Sequence, residues 1–240
     1  MLAALLAPSA AGTAPQEAPK QPLDEIVQHF AAKEEEYARA HALYRYRLSV
    51  KVQELEGDQV LGEFEEALDV DFDSSGRRRT RVRDNPRVDL VQLSITRVDL
   101  EDLEMIPLFI LSPAQIPDYE ITYLTRERVD EVETYLFRLK PAHPVRPGER
   151  LFEGIVWVDA EKLDVVRAHG RSRPARTGGA FGGYFQRVEV FREPVGDYLF
   201  PTFVRADDVL AVRDRPVRAR LIVRFSHHEQ ARKPAPAAQQ

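Results

Sequence analysis

The feature that most constrains the fold is a two-residue alternation of apolar and polar side chains that begins at Leu43. A turn at Gly57–Asp58 joins the first alternating segment to a second one, in which acidic residues fill the polar face. This pattern predicts two long antiparallel strands joined as a hairpin, with one apolar face and one solvated face. The apolar positions are Tyr44, Tyr46, Leu48, Val50 and Val52 in the first segment and Val60, Gly62, Phe64, Leu68, Val70 and Phe72 in the second.

Strand patterns continue over most of the remaining chain. A third, arginine-rich strand is predicted from Arg77 to Asp84, after the turn sequence DSSG. The further strand candidates are residues 118–127, 131–140, 149–159, 163–173, 184–194, 197–206, 209–214 and 217–229. Their connections are short, so about eleven strands are expected to form an up-and-down meander and not repeating βαβ units.

Two segments depart from the strand pattern. Pro22 to about Ala42 places apolar residues at helical spacing and predicts one long helix. Val98 to Tyr119 begins as a short acidic helix and becomes an apolar run from Met105 to Leu111. Three prolines keep this run out of a sheet interior or a continued helix, so we expect it to lie across a sheet face.

The hairpin predicted from Arg150 to Gly170 is apolar on both faces. Its first strand directs Phe152, Val156 and Val158 to one side and Leu151, Ile155 and Trp157 to the other. A hairpin with one wet face would alternate apolar and polar residues. The second face therefore lines a cavity or lies under a lid, or else it meets side chains in a filled core or a two-sheet sandwich. Periodicity alone does not separate these arrangements.

Composition excludes several classes of function. A net charge of −5 argues against a nucleic-acid partner, which requires a basic surface. The absence of cysteine excludes disulfides, thiolate catalysis and a lipid-modified lipobox. Residues 1–21 resemble the remnant of a secretory signal, although the positive n-region is missing. Residues 230–240 are predicted to be a disordered tail.

No catalytic, cofactor or metal motif is recognisable. The glycine-rich segment 174–183 lacks the GK[ST] ending of a phosphate loop, and there is no HExxH or GxSxG.

The adjacent His227 and His228 are expected on opposite strand faces, as a surface pair. Glu66 lies on the apolar face of its strand and is the one acid expected to be buried. The arginines of segment 77–84 are explained by cross-strand pairing with DVDFD, or by docking of an anionic headgroup. The sequence therefore favours a protein without enzymatic activity or cofactor.

The second half of the chain resembles a known family. The segments YLFRLKP, RLFEGIVWVDAEKLDVVRAHGRS and YLFPTFVRADD, together with the order of elements, are similar to the LolA/LolB superfamily of periplasmic lipoprotein carriers, in its outer-membrane lipoprotein-sorting branch. The resemblance covers about residues 22–229, which we predict to form one domain. It implies a mainly β (α+β) fold, in which a single curved antiparallel sheet of about eleven strands forms an incomplete β-barrel with an N-terminal helix and a short helical lid.

The resemblance also implies a hydrophobic cavity for acyl chains. Burial of one chain of about 15 methylenes is worth roughly 12 kcal/mol, which favours an enclosed site with a cover that opens easily. The residues expected to line the cavity are Tyr46, Leu48, Val50, Phe64, Leu68 and Trp157, and the expected lid residues are Met105, Ile106, Leu108, Phe109 and Ile110. Plain core packing is the alternative for each of them. In this family an arginine on an early strand holds the lid, but none of Arg45, Arg47 or Arg77 to Arg79 is assigned that role.

The function that the resemblance implies is that of a monomeric periplasmic carrier. It would take acylated lipoprotein or lipid from an inner-membrane transporter and pass it to an outer-membrane acceptor, with transient contact to the membrane surface. A sensor with the same fold, which binds lipid or lipoprotein to regulate an envelope partner, is the alternative. An enzyme with an unrecognised site is a third hypothesis.

Overall fold

The computed structural model describes residue 19 and residues 21–73, 77–103, 106, 108–147, 149–173, 185–212 and 215–231. Most of the predicted leader, the glycine-rich segment 174–183, Met105 and the tail from residue 232 lie outside the described residues.

The predicted long helix is α1, Leu23–His41. Asp24 and Glu25 occupy its first turn and Arg39 lies in its last, so that side-chain charges oppose the helix dipole at both ends. One stripe of the helix is buried, formed by Ile26, Val27, Phe30, Ala31, Glu34, Tyr37, Ala40 and His41. A shorter helix α2, Arg97–Leu103, and a 3₁₀ turn, Pro113–Asp118, interrupt the strands.

Eleven strands make up the rest of the described fold. They are β1 Tyr44–Glu56, β2 Gln59–Phe72, β3 Arg78–Val82, β4 Arg87–Val88, β5 Tyr119–Val129, β6 Val132–Pro141, β7 Leu151–Asp159, β8 Val165–Arg173, β9 Val188–Val195, β10 Tyr198–Val212 and β11 Arg215–Gln230. All pairings are antiparallel, in the order β3-β2-β1-β11-β10-β9-β8-β7-β6-β5, and β4 also pairs with β2. The sheet is open, since β3 and β5 are its two edges. The expected fold class is confirmed, and the two-sheet sandwich is not formed.

Two details differ from the strand predictions. The sequence predicts separate strands at residues 197–206 and 209–214, but β10 runs unbroken from Tyr198 to Val212. The intervening Asp207 is not a turn residue, because its carboxylate pairs with Arg205 at 2.8 Å and with Arg220 at 2.7 Å. The short strand β4 has no counterpart among the predicted strands; its two residues pair with Phe64 and Glu65 of β2.

The sheet has an inner face, which carries Leu48 and Val50 and packs against α1, and an outer face. The core lies between α1 and the inner face, where residues from nearly every strand are fully buried. The carboxylate of Glu54, itself fully buried, accepts hydrogen bonds from the backbone N–H of Val91, Gln92 and Leu93. This contact fixes the loop before α2 against β1.

The Arg167 side chain covers Trp157 on the second apolar face of the β7–β8 hairpin. Trp157 pairs across strands with Leu136 and Arg167, on the face opposite to Val156 and Val158. The Arg167 guanidinium lies 4.7 Å from the centroid of the Trp157 ring and 5.1 Å from that of Phe191. Stacked guanidinium groups shield aromatic faces while keeping their charge near water. Leu151, which the sequence assigns to the same face, is instead 3% exposed and belongs to the core.

Candidate ligand pocket

Helix α1 crosses the inner face of the sheet from one side to the other. Near its middle, Phe30 meets Phe137 of β6 at a ring-centroid distance of 5.7 Å. At its C-terminal end, His41 meets Phe200 of β10 at 5.0 Å and Tyr46 of β1 at 4.8 Å. The helix therefore fills the middle of the inner face and leaves space at its two ends.

A pocket of about 220 Å³ lies at the C-terminal end of α1, and we call it the C-end pocket. It is mostly apolar and is bounded by Ala38, His41, Ala42, Tyr46, Leu48, Phe72, Arg78, Leu108, Phe109, Val223 and Phe225. A small-molecule pocket typically has a volume of about 300–1,000 Å³. The C-end pocket is below that range, so a long ligand requires it to widen.

A second pocket of about 430 Å³, the N-end pocket, lies at the N-terminal end of α1. It is lined by Leu23, Asp24, Val27, Gln28, Ile116, Tyr119, Ile121, Tyr123 and Phe137. The Tyr119 hydroxyl accepts a hydrogen bond from the Phe152 N–H at 2.7 Å, and burial raises the pKa of this tyrosine to about 12. None of the residues predicted to line a cavity reaches this pocket.

The structure divides the predicted lining residues into three groups. Tyr46 and Leu48 line the C-end pocket. Val50, Phe64 and Leu68 are buried on the same face but are packed in the core, with no more than 6% exposure each. Trp157 lies on the outer face, one position out of step with the inner-facing Val156 and Val158, and it lines neither the C-end pocket nor the N-end pocket.

The predicted lid residues lie between α1 and β9. Leu108 and Phe109 line the C-end pocket, while Ile106 and Ile110 are buried in the core. Met105 falls outside the described residues. We refer to residues 108–111 as the cover segment, because they close one side of the C-end pocket.

One buried ion pair holds the cover segment in place. The Arg192 guanidinium binds both carboxylate oxygens of Glu34, and the side chains of the two residues are 0% and 1% exposed. Arg192 also donates to the Leu108 carbonyl at 2.8 Å, and Glu34 accepts from the Ile110 N–H at 2.8 Å. The guanidinium further lies 5.2 Å from the centroid of the Phe109 ring. This Glu34–Arg192 cluster thus joins α1, β9 and the cover segment.

This cluster was not predicted, because the family resemblance places the arginine that holds the lid on an early strand. Arg192 lies on the late strand β9 instead. Its position follows Val188 and Val190 in the alternation, so the sequence places a charge on the inner face. Glu34 likewise falls on the apolar stripe of α1. The sequence signal for a buried ion pair is therefore the occurrence of two opposite charges at positions that otherwise carry inward-facing apolar residues.

An aromatic cluster forms the wall of the C-end pocket around His41. The imidazole packs against Tyr46 and Phe200, and against Phe109 of the cover segment at 5.6 Å. Burial, followed by the charges of His228, Arg78 and Arg192, lowers the pKa of His41 to about 3. The sequence predicts His228 as a surface residue, but its ring enters this cluster and lies 5.6 Å from Tyr46, and burial lowers its pKa too.

The polar residues elsewhere do not form a comparable site. Within the described ranges, the one trio of metal-type ligands is Asp118, His143 and Glu149, with ligand atoms within 4.8 Å of one another. His143 uses one ring nitrogen toward the Pro144 carbonyl and the other toward Asp118, each at 3.0 Å. These two hydrogen bonds raise the pKa of His143. Both ring nitrogens of His143 therefore already face oxygen atoms of neighbouring residues, and the contact with Asp118 is explained as a hydrogen bond within the trio.

The arginine-rich strand β3 pairs with the acidic strand β2, as the sequence predicted. Arg81 lies opposite Asp69 and Arg79 opposite Asp71, and Arg83 approaches Asp69 at 3.6 Å. An open groove of about 570 Å³ on the outer face is lined by these residues together with Arg45, Tyr46, Arg47, Val70, Thr80, His227 and Glu229. Most of these residues are charged, so the groove suits an acyl chain less well than the C-end pocket does. Glu66 is buried at 6% exposure, as expected, but it is not the one buried acid, because Glu34, Glu54 and Asp99 are each no more than 1% exposed.

Comparison with known proteins gives similarity at the level of structure alone. No protein-family model matches the chain, and no curated protein sequence matches it. Among the described residues, no helix is both long enough and apolar enough to cross a membrane. The chain is similar to the solved structure of a DUF1329 family protein from Desulfovibrio piger, with 12% identity and a TM-score of 0.38 over 85% of this chain and 93% of that one.

Two further solved structures have comparable sequence identities and TM-scores. A LolA superfamily protein from Nitrosomonas europaea is 12% identical, with a TM-score of 0.36 over 85% of this chain and 95% of that one. A putative outer membrane lipoprotein-sorting protein domain from Vibrio parahaemolyticus is 9% identical, with a TM-score of 0.34 over 85% of this chain and 92% of that one. All three TM-scores lie below 0.5.

Proposed function

We propose that this chain is a periplasmic carrier that binds the acyl chains of lipoproteins or lipids in the C-end pocket. The observation that supports the proposal is that the pocket is mostly apolar and that one of its walls is the cover segment, which the Glu34–Arg192 cluster holds in place. Tyr46, Leu48, Leu108 and Phe109 give this pocket apolar walls on both the sheet side and the segment side. When the cover segment moves outward, the pocket widens enough to enclose an acyl chain.

The energies of opening and binding are consistent with this role. Outward movement of the cover segment breaks two hydrogen bonds to charged groups, from Arg192 to the Leu108 carbonyl and from the Ile110 N–H to Glu34. Each such bond is worth about 1.5–3 kcal/mol. Complete burial of an acyl chain of about 15 methylenes returns roughly 12 kcal/mol. Opening of the cover segment by cargo is therefore favourable overall, whereas the empty pocket stays closed because nothing offsets the loss of these two hydrogen bonds.

The remaining parts of the proposal rest on the sequence resemblance. The cargo would come from an inner-membrane transporter and pass to an outer-membrane acceptor, and the carrier would act as a monomer in brief contact with membrane surfaces. No residue cluster described above supplies the nucleophile, base and charge stabilisation of a hydrolytic site, so the proposal contains no catalytic step.

Extraction and transfer of a labelled lipid test the proposal. Purified protein is mixed with donor vesicles that contain a fluorescent triacylated lipopeptide, separated from them, and then offered acceptor vesicles. We expect the wild-type protein to remove the lipopeptide and release it to the acceptor. Leu108→Asp and Phe109→Asp should each reduce extraction at least tenfold, because a carboxylate in the pocket wall opposes burial of an acyl chain.

Val209→Asp is the matched control, since this valine is 59% exposed and does not line the pocket. Circular dichroism verifies that each variant retains the sheet. Failure of the wild-type protein to extract the lipopeptide, or equal extraction by the pocket variants, would refute the proposed site. Extraction without release to acceptor vesicles would refute the carrier role and favour a sensor.

A further inference from the structure

The aromatic wall of the C-end pocket contains two imidazole nitrogens that have no hydrogen-bond partner among the described residues. Nε2 of His41 and Nε2 of His228 are both buried, and neither forms a hydrogen bond with a described residue. The two rings lie side by side, with centroids 6.3 Å apart. A buried polar atom without a partner costs free energy, so such atoms in a native structure call for an explanation.

His41 is the member of the pair that lines the pocket. It occupies the last turn of α1, and its residue is only 5% exposed. Phe109 of the cover segment packs edge-on against the imidazole at 5.6 Å. Outward movement of the cover segment therefore exposes His41 at the same moment as it widens the pocket.

The charges around His41 favour an oxygen atom as its partner. The guanidinium of Arg78 lines the same pocket, and the positive charges of Arg78 and Arg192 act on the imidazole. With burial, they hold the pKa of His41 near 3, so the ring is neutral at physiological pH. A neutral imidazole carries one N–H, which donates to a carbonyl or carboxylate oxygen. A positive potential favours that negatively polarised oxygen over an ammonium group.

We propose that His41 is the polar anchor of the C-end pocket and donates a hydrogen bond to the carbonyl or carboxylate oxygen at the head of a bound acyl chain. This inference rests on the proposed function and adds the residue that recognises the head of the chain, by which the pocket distinguishes an acyl compound from a plain hydrocarbon. The hydrocarbon part packs between Tyr46, Leu48, Leu108 and Phe109. A small number of polar groups in an apolar pocket commonly fixes the orientation of a ligand in this way.

Three ligands of equal chain length test the inference on the wild-type protein. Hexadecanoate, its methyl ester and hexadecane compete for the protein with an environment-sensitive apolar dye. We expect both carbonyl compounds to bind about tenfold more tightly than hexadecane, which corresponds to one net hydrogen bond of ordinary strength.

Equal binding of all three ligands would overturn the role of His41 as anchor but leave the acyl pocket intact. Failure of all three to bind would overturn the proposed function itself. A preference for hexadecanoate alone would assign recognition to the charge of Arg78 and overturn the role of His41.

Variants of the two histidines on α1 provide the second test. His41→Phe removes the hydrogen bond and keeps the aromatic shape, so hexadecane should bind as before while the preference for the carbonyl compounds disappears. His41→Gln retains an N–H donor and should keep part of the preference. His29→Phe is the control, because His29 lies exposed on the same helix. An unchanged preference in His41→Phe would overturn the inference. If that variant does not fold, the comparison of ligands on the wild-type protein still decides.

Discussion

Glu34 and Arg192 place opposite charges in an apolar interior. Most of the hydrogen bonds that each side chain makes are to the other. Arg192 has two further contacts on the cover segment, to the Leu108 carbonyl and the Phe109 ring, and Glu34 has one, to the Ile110 N–H. A buried pair of this kind adds little net stability, because desolvation offsets the attraction between the charges. Its effect is to fix where the cover segment lies, because the Leu108 carbonyl and the Ile110 N–H each bond to one of the two charges.

Removing one partner of this pair should be far more damaging than removing both. Arg192→Met leaves the Glu34 carboxylate buried without its countercharge and should lower the free energy of unfolding by about 3–5 kcal/mol. The double variant Glu34→Met/Arg192→Met should recover most of that loss. Urea denaturation followed by circular dichroism measures both effects.

The control for this pair is Arg45→Met, which removes a guanidinium that is 62% exposed and paired with Glu229. It should leave the urea midpoint unchanged, because exposed ion pairs are weak. A double variant no more stable than Arg192→Met would show that the countercharge is not the reason for the loss. It would also contradict the role assigned to the cluster.

The β7–β8 hairpin shows which element-level features the sequence contains. Alternation correctly assigned Phe152, Val156 and Val158 to one face and Trp157 to the other. It did not reveal what covers Trp157, because the neighbour is set by cross-strand register, and register places Arg167 of β8 beside it. The inner face holds a second unpredicted arrangement. Gly154 and Gly170 lie directly opposite each other, and the Phe152 ring lies over both of them.

Adding a methyl group at Gly170 should destabilise this hairpin. A Cβ at this position would lie 2.4 Å from Cζ of Phe152 and 2.5 Å from the Glu153 carbonyl oxygen, so the backbone as well as the ring would have to move. We expect Gly170→Ala to cost about 1–3 kcal/mol of unfolding free energy, as is usual for overpacking. Thermal or urea unfolding measures the change.

Gly57→Asn is the comparison for this substitution. Gly57 has a φ of +59°, and no atom lies within 4 Å of the point that a Cβ would occupy. Asparagine tolerates this region of backbone space. The substitution should therefore cost clearly less than Gly170→Ala. Equal losses for the two variants would mean that close packing over the glycine pair is not what limits the side chain at residue 170.

The order of strands is the whole-molecule property that the sequence pattern did not contain. Turn lengths correctly indicated a meander, but alternation carries no information on which distant strands pair. The first strand, β1, is hydrogen-bonded to the last strand, β11, along Tyr44–Leu55. The position of the C-end pocket could not be predicted from the sequence for a related reason. Residues on the inner face of the sheet share one pattern, and only the position of α1 decides that Tyr46 and Leu48 meet open space while Val50 meets side chains.

Proline substitutions at the centre and at the edge of the sheet should have opposite outcomes. Val223 of β11 pairs with Val50 of β1 on one side and with Val204 of β10 on the other. Val223→Pro should abolish the folded β-sheet signal in circular dichroism, because proline removes a ladder hydrogen bond in a central strand.

Val88 of the edge strand β4 is 64% exposed and pairs with Phe64 alone, so Val88→Pro should leave the protein folded. Size-exclusion chromatography distinguishes a folded chain from an aggregated one in both variants. A folded Val223→Pro variant would contradict the central position of β11.

The position of β11 also determines when this sheet can form during synthesis of the chain. The strand that joins its two halves is the last of the eleven to be synthesised, so until then β1 and β10 each expose a row of unpaired backbone groups. The central pairings of the sheet therefore cannot form before β11 has been made. The periplasmic location proposed above would require the chain to cross a membrane, and a chain exported in the unfolded state would gain from that delay.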